Sequence, residues 1–268
     1  MKLSIVLSTQ PASFSALAYK GNIEENIKQI KKLGYDGVEL AVRNPKEINI
    51  EQIKSILNSN NLPVPAIGTG QAFGEEGLSF THTDPLIRQK AIERIKNQIT
   101  FAKNFNAVVI IGLVRGVVGK GEDRDEAYKY MLYAFDECAS FDDNVKIVIE
   151  PINRYETNLL NTVSETLEFI EELGKPNVGL LLDTFHMNIE EPDIFESIKN
   201  ANEKVFHLHV ADSNRWHPGA GHIDFQEIFK TLKHINYNGF VSAEILPLPD
   251  AGSAAANTIA HLRKLFTD

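Results

Sequence analysis

Four acid or imidazole side chains stand at or near the ends of consecutive apolar runs. Glu150 closes KIVIE (146–150), Asp183 closes VGLLLD (178–183), His209 lies in VFHLHV (205–210) and Glu244 in FVSAEI (240–245). A glutamate placed directly after Ile147, Val148 and Ile149 is headed for burial, and buried carboxylates are rare unless something pairs with them. Three carboxylates and one imidazole make a hard, oxygen-rich donor set for a divalent cation such as Mn²⁺, Mg²⁺ or Co²⁺. Brought together without a cation they would repel one another strongly. Each has a plainer reading when taken singly. Asp183 could cap a following helix, and His209 could be a satisfied core histidine, the reading preferred for His207 two residues earlier. Four such coincidences on consecutive runs favour the shared site.

A second set of polar groups follows the first at short spacing: Glu156, His186 and Arg215. They fall just past the apolar runs, where loops carry substrate contacts. The plainer reading of Glu156 or Arg215 is a surface ion pair. Trp216 and His217 read as a lid or wall, or as part of a subunit interface. Glu39, in LGYDGVEL, is assigned a structural role, and Phe185 and Met187 are assigned to packing.

These residues need a scaffold that gathers them. The apolar runs, LSIVL, GVEL, PVPAIGT and AVVIIGL followed by the four above, are too continuous for half-solvated strands and predict parallel strands covered on both faces. Between them lie helical stripes such as Ile23, Ile27, Ile30, Leu33 and Ile87, Ala91, Ile95, Ala102. Asp84-Pro85 reads as an N-cap with proline at the first helical position. Thr162 and Glu165 have capping-box spacing, and Gly34 and Gly174 stand where helices should stop. Eight strands alternating with about eight helices predict a single (β/α)8 TIM barrel over residues 1–268, with chemistry at the C-terminal strand ends. A doubly wound sheet would show an early glycine-rich turn, and the first strand leads into LSTQPASF instead. GVVGKGED lacks the first glycine and the terminal Ser/Thr of a P-loop.

The chain has 268 residues, 43% hydrophobic, with a net charge of −9. That balance, with no Lys/Arg cluster, argues against nucleic acid as a main partner. The N-terminal apolar run is too short for a signal peptide and no stretch reaches membrane-span length, so a cytoplasmic protein that meets no membrane is expected. Cys138, the single cysteine, reads as a buried helix filler.

In EPINRYETNLLNT, DTFHMNIEE, HLHVADSNRWHPGAGHIDF and SAEI the chain resembles the ketose 3-epimerase family, the D-tagatose and D-psicose 3-epimerases of the xylose-isomerase-like superfamily. The resemblance covers essentially the whole chain. It implies one divalent metal, Mn²⁺ first and Co²⁺ or Mg²⁺ as alternatives, held by Glu150, Asp183, His209 and Glu244. It further implies that Glu150 and Glu244 are the acid/base pair, that Glu156, His186 and Arg215 bind the carbonyl end of a keto-sugar, and that the chain assembles as a dimer or tetramer. The strand ends AVRNP and IIGLVRG, with AIGTGQA and HVADSNRWHPG, are most similar to 5-keto-L-gluconate epimerases of inositol breakdown, which interconvert that compound with D-tagaturonate. Such a substrate carries a carboxylate. Arg115, with Arg43, is the expected fork for it, the alternative being that Arg115 pairs with Glu122 or Asp123 in its own loop. Other readings are a neutral-ketose epimerase, an aldose–ketose or inosose isomerase or dehydratase on the same scaffold, an apurinic endonuclease, and a non-catalytic sugar-binding protein.

Overall fold

The computed structural model describes residues 1–266. The eight barrel strands are β1 (Lys2–Ser8), β2 (Glu39–Ala41), β3 (Ala66–Gly68), β4 (Val108–Ile111), β5 (Ile147–Ile149), β6 (Val178–Asp183), β7 (Val205–Val210) and β8 (Phe240–Ala243). Each pairs in parallel with the next, and β1 closes the ring on β8 through Leu3↔Val241 and Ile5↔Ala243. The expected single barrel is therefore the architecture found. One small strand went unforeseen: Tyr19–Lys20 lies beside Leu7 and Ser8 at the outer edge of the mouth.

The crossovers carry α1 (Ile23–Leu33), α2 (Ile50–Ser59), α3 (Gln71–Glu76), α4 (Pro85–Lys103), α5 (Arg124–Ala139), α6 (Val163–Leu173), α7 (Thr184–Glu190), α8 (Ile194–Ala201), α9 (Phe225–His234) and α10 (Ala251–Phe266). Their ends form as the sequence predicts. The Asp84 carboxylate accepts from the Leu86 N–H ahead of Pro85, and Thr162 and Glu165 close a reciprocal capping box. Gly34 and Gly174 end α1 and α6 with φ of 93° and 64°, a region where a Cβ would be strained. Ile27 and Ile30 of α1 are fully buried against the sheet. Truncating either to alanine would cost about 2–5 kcal/mol, from lost transfer energy plus the cavity left behind. Cys138 is buried in α5, and burial pushes its thiol up to about 12, as befits a filler.

Side chains alternate across every strand, and this sets the height of the site. Ala66, Ile110, Val148 and Leu181 pack together as a plug inside the barrel. Two residues further on, just past β5 and at the end of β6, the chain presents Glu150 and Asp183. On β7 the inward positions are His207 then His209, and on β8 Ser242, with Glu244 just past its end. The register sets Asp183 beside His209 and Leu181 beside His207. The apolar plug thus sits below, and the acids sit above it at the open end. Among the described residues no helix is long and apolar enough to cross a membrane.

Candidate active site

Glu150 leaves β5 with its backbone N–H donating to the Ile111 carbonyl, and its side chain enters the barrel beside Gly112. A Cβ at Gly112 would lie 2.7 Å from Glu150 Oε2, so a glycine is what lets the carboxylate stand there. Asp183 ends β6. Its Oδ1 caps α7 by accepting from the Phe185 N–H at 2.8 Å, while Oδ2 is buried with no hydrogen-bond partner. The capping reading and the ligand reading thus describe two oxygens of one carboxylate. His209 Nε2 meets Glu39 at 3.0 and 3.1 Å, which leaves Nδ1, also unpartnered, facing Glu150 Oε1 at 3.8 Å. Glu244 follows β8 and accepts from Arg215 Nη2 through Oε2 at 3.0 Å.

One donor atom from each of Glu150, Asp183, His209 and Glu244 lies within 4.8 Å of the other three. Glu150 Oε1, Asp183 Oδ2 and His209 Nδ1 are all buried without partners. Leaving even one such atom unpaired costs about 1–3 kcal/mol, and more when it is charged. Burial first, and Glu244 beside it second, push the Glu150 carboxyl up to about 8; Glu244 is raised too, again chiefly by burial. A divalent cation would satisfy the three orphaned atoms and relieve the repulsion together, so these residues fit one.

Glu39 supports this set from behind. Burial alone would raise its carboxyl, but His209 and His207 hold it well below the usual carboxylate range. His207 Nε2 lies 2.8 Å from Glu39 Oε2. Glu39, His207 and His209 are also close enough to form a ligand trio, but their facing atoms already bond to one another, which makes them a brace. Such a carboxylate–imidazole pair fixes ring orientation and raises donor strength.

The second set converges on the same space. His186, in the first turn of α7, is buried, and burial pulls its imidazole down to about 4. Its Nε2 stands 3.9 Å from both Glu150 Oε1 and Asp183 Oδ2. Arg215 reaches Glu156 Oε1 with Nη1 at 3.0 Å and Glu244 with Nη2. Its guanidinium carbon lies 5.0 Å from the Phe14 ring centre and 4.7 Å from that of Phe185, two cation–π contacts that help hold the cation. Phe185 therefore does more than pack. Arg215 itself adopts φ of 61°, unusual for a side-chain-bearing residue. Asp212 holds the loop in that shape by accepting from the N–H groups of Ser213, Gly219 and Ile223.

Two expected residues do not join the site. Arg115 is fully buried, and its donors go to the carbonyls of Leu159, Gly112, Glu150 and Leu160 at 2.8–3.2 Å. The short helical turn Leu113–Arg115 folds the side chain back beneath the mouth. It forks no carboxylate, and it does not pair with Glu122, which caps the Gly119 N–H instead. Arg43 lies at the edge between Glu47 and Glu76, 3.7 Å from each. Neither arginine lines the mouth cavity.

That cavity has a volume of about 100 Å³ and opens to solvent at the barrel mouth. Its wall also includes Phe14, Leu17, Ile110, Leu113 and Ile152, with Glu75 as a further acid. The loop residues Phe14 and Leu17 carried no sequence signal, because apolar residues outside a periodic element look alike. Trp216 is about one-third exposed (37%) and does not line the cavity, and His217 turns to Asn257 at 3.3 Å.

A parallel barrel with a cation-ready acid cluster and a cavity at its C-terminal rim defines an enzyme-like α/β barrel. Comparison with known proteins narrows the class. Residues 27–265 match the family model described as xylose isomerase-like TIM barrel. The chain is 32% identical over 247 residues to the L-ribulose 3-epimerase of Methylomonas sp. (strain DH-1), covering 88% of this chain and 83% of that protein. It is 30% identical over 252 residues to the ketose 3-epimerase of Arthrobacter globiformis, covering 92% and 85%. The crystal structure of D-allulose 3-epimerase from Methylomonas sp. in complex with D-allulose superposes with a TM-score of 0.82 at 26% identity, over 98% of this chain and 97% of that one. The chain belongs to the xylose isomerase-like TIM-barrel family, among the ketose 3-epimerases, and is a carbohydrate epimerase.

Proposed function

We propose that this protein inverts the carbon next to the ketone of a neutral ketose, using one divalent metal ion. The observation that carries the reading is the convergence of the unpartnered Glu150 Oε1, Asp183 Oδ2 and His209 Nδ1 beside Glu244, in the cavity that Arg215 and His186 also line. Glu150, Asp183, His209 and Glu244 would hold the ion. Bound there, it supplies stabilisation of the negative charge that develops on the ketone oxygen as the neighbouring C–H loses its proton.

The remaining work falls to the chain. Glu150 and Glu244 exchange the proton with the two faces of the planar enediolate, each acting as base in one direction and acid in the other. Arg215, held by Glu156 and by two aromatic rings, and His186 steady the C1–C2 end so that the intermediate stays planar between the two carboxylates. The apolar wall around Phe14, Leu17 and Ile152 excludes water from the far end of the sugar.

A neutral substrate is preferred to a keto-sugar acid such as 5-keto-L-gluconate or D-tagaturonate because the cations expected to fork a distal carboxylate are committed elsewhere. Arg115 is spent on four backbone carbonyls, and Arg43 stands at the edge beside two acids, outside the cavity lining. Glu75 adds negative charge to the cavity. The relatives named for L-ribulose and D-allulose support the same choice.

The test is NMR of Mn²⁺-, Co²⁺- or Mg²⁺-loaded protein in D₂O, with product quenched and freed of paramagnetic metal before observation. D-psicose, D-tagatose and L-ribulose form one arm, and 5-keto-L-gluconate and D-tagaturonate the other. Deuterium entering the epimerised carbon of a neutral ketose, faster than in either keto acid, is expected. Faster exchange in the keto acids would overturn the neutral assignment. Aldose formation would move the reading to an aldose–ketose isomerase.

A further inference from the structure

Asn153 is buried three residues after Glu150, between the two sets of polar groups. Its Oδ1 accepts from the Tyr155 N–H at 3.0 Å, which fixes which way the amide faces. The amide nitrogen then donates to Glu156 Oε1 at 3.0 Å and stands 2.7 Å from His186 Nδ1. The Asn153 backbone N–H points to the same imidazole nitrogen at 3.5 Å. An amide NH₂ and a backbone N–H can only donate, so His186 Nδ1 must present its lone pair, and in a neutral ring the proton sits on Nε2.

That placement matters because of what Nε2 faces. At 3.9 Å from both Glu150 Oε1 and Asp183 Oδ2, it is too far to bond to either. Its N–H is left for a third atom in the cavity. The opposite tautomer would aim a lone pair at the same place, where it would offer a competing metal ligand and no donor.

We propose that Asn153 is a positioning residue that fixes His186 as an Nε2–H donor toward the substrate and couples it, through Glu156, to Arg215. The hydrogen-bonded arc runs His186–Asn153–Glu156–Arg215–Glu244, linking the loops after β5, β6 and β7 to the end of β8. The inference deepens the proposed function and rests on its assignment of His186 to the substrate end. The tautomer itself can be read without turnover.

The test uses ¹⁵N-histidine-labelled, Mg²⁺-loaded protein, with long-range ¹H–¹⁵N correlations assigned by the His186→Gln variant. The wild type should show His186 as the Nε2–H tautomer. Asn153→Asp keeps the shape but replaces the donor with an acceptor, so His186 should move its proton to Nδ1 or become doubly protonated. Turnover of the best ketose should then fall about 10²–10³-fold in kcat, the size of losing one preorganised donor. In a His186→Gln background, where an amide donates whatever the neighbour does, the same substitution should cost markedly less. If Asn153→Asp does not fold, Asn153→Ser and the wild-type spectrum carry the test, with Ser expected to give a mixed tautomer and a smaller kcat loss. An Nδ1–H tautomer in the wild type overturns the proposal, and so does an unchanged tautomer in the folded Asp or Ser variants. Equal losses from Asn153→Asp in both backgrounds also overturn it. Should no ketose be epimerised at all, the proposed function fails while the tautomer measurement still decides the role of Asn153.

Discussion

Strands β5–β8 and strands β1–β4 build opposite parts of one mouth cavity and contribute different things to it. From β5–β8 come Glu150, Asp183, His209 and Glu244, with Glu156, His186 and Arg215 in the loops that follow. From β1–β4 come Val6, Ala41 and Ile110 on the strands, Phe14, Leu17 and Leu113 in the loops, and Glu75 on α3. The one carboxylate on those first strands, Glu39, spends its oxygens on His207 and His209 across the barrel. In the proposed function the second half holds the reacting groups, and the first half shapes the cavity and braces His209. A barrel can be divided this way because each strand end is an independent position, so chemistry and shape need not compete for the same residues.

The largest effects should come from the reactive half. Glu150→Gln and Glu244→Gln keep the shape but remove the proposed proton carriers, and each should lower kcat about 10³–10⁴-fold. Loss of a similar size from an apolar substitution at Leu17 or Ile110, with metal content unchanged, would break the division. Steady-state epimerisation with metal quantified in each variant decides it.

Glu39 tests the bracing role of the first half. Glu39→Gln should weaken metal binding about 10–100-fold, measured by calorimetry or competition with a chelator, while substrate KM at saturating metal changes little. A large KM change with unaltered metal affinity would instead place Glu39 among the substrate contacts.

A smaller, graded effect follows from protonation in the reactive half. Burial, and then Glu244, push Glu150 up to about 8. Burial would lower His209, but Glu39, Glu244 and Glu150 push it up to about 10. Near neutral pH the metal-free protein therefore holds protons at both groups, and a cation must expel them. Affinity should rise with pH and fall by up to about tenfold per unit for each displaced proton as pH drops below 8. Titrations at pH 6.5, 7.5 and 8.5 read this directly, and a flat response would mean that neither Glu150 nor His209 holds a proton before the metal arrives.

The same division explains what could be read from the sequence. Glu150 was legible because an acid after three β-branched residues is anomalous, and the strand-end rule then collected Asp183, His209 and Glu244. Helix ends at Asp84, Thr162 and Gly174 were legible because capping is local. Arg115 and Arg215 show where that stops. Both follow a strand, yet one bonds to the loop at 159–160 and the other is drawn out toward Phe14 and Phe185. The direction depends on segments distant in sequence. Asn153 lay within the quoted EPINRYET segment, but its meaning depends on His186, which only the barrel brings beside it.

Arg43 sets the lower bound of the comparison. It is a cation at the mouth of the non-reactive half, held at 3.7 Å by Glu47 and Glu76 with part of its side chain in solvent. Exposed pairs of this kind contribute about 0–1 kcal/mol, and nothing ties the guanidinium to the acid cluster. Arg43→Ala should therefore leave kcat/KM for neutral ketoses within about twofold. The informative measurement is the same variant with D-tagaturonate. If Arg43 swings from its two acids to a carboxylated substrate, the variant loses turnover of the keto acid alone, and the first half of the barrel gains a reading of charge as well as shape. If both substrates change together and slightly, Arg43 reads no charge, and the apolar wall with Glu75 sets what the far end of the sugar can be.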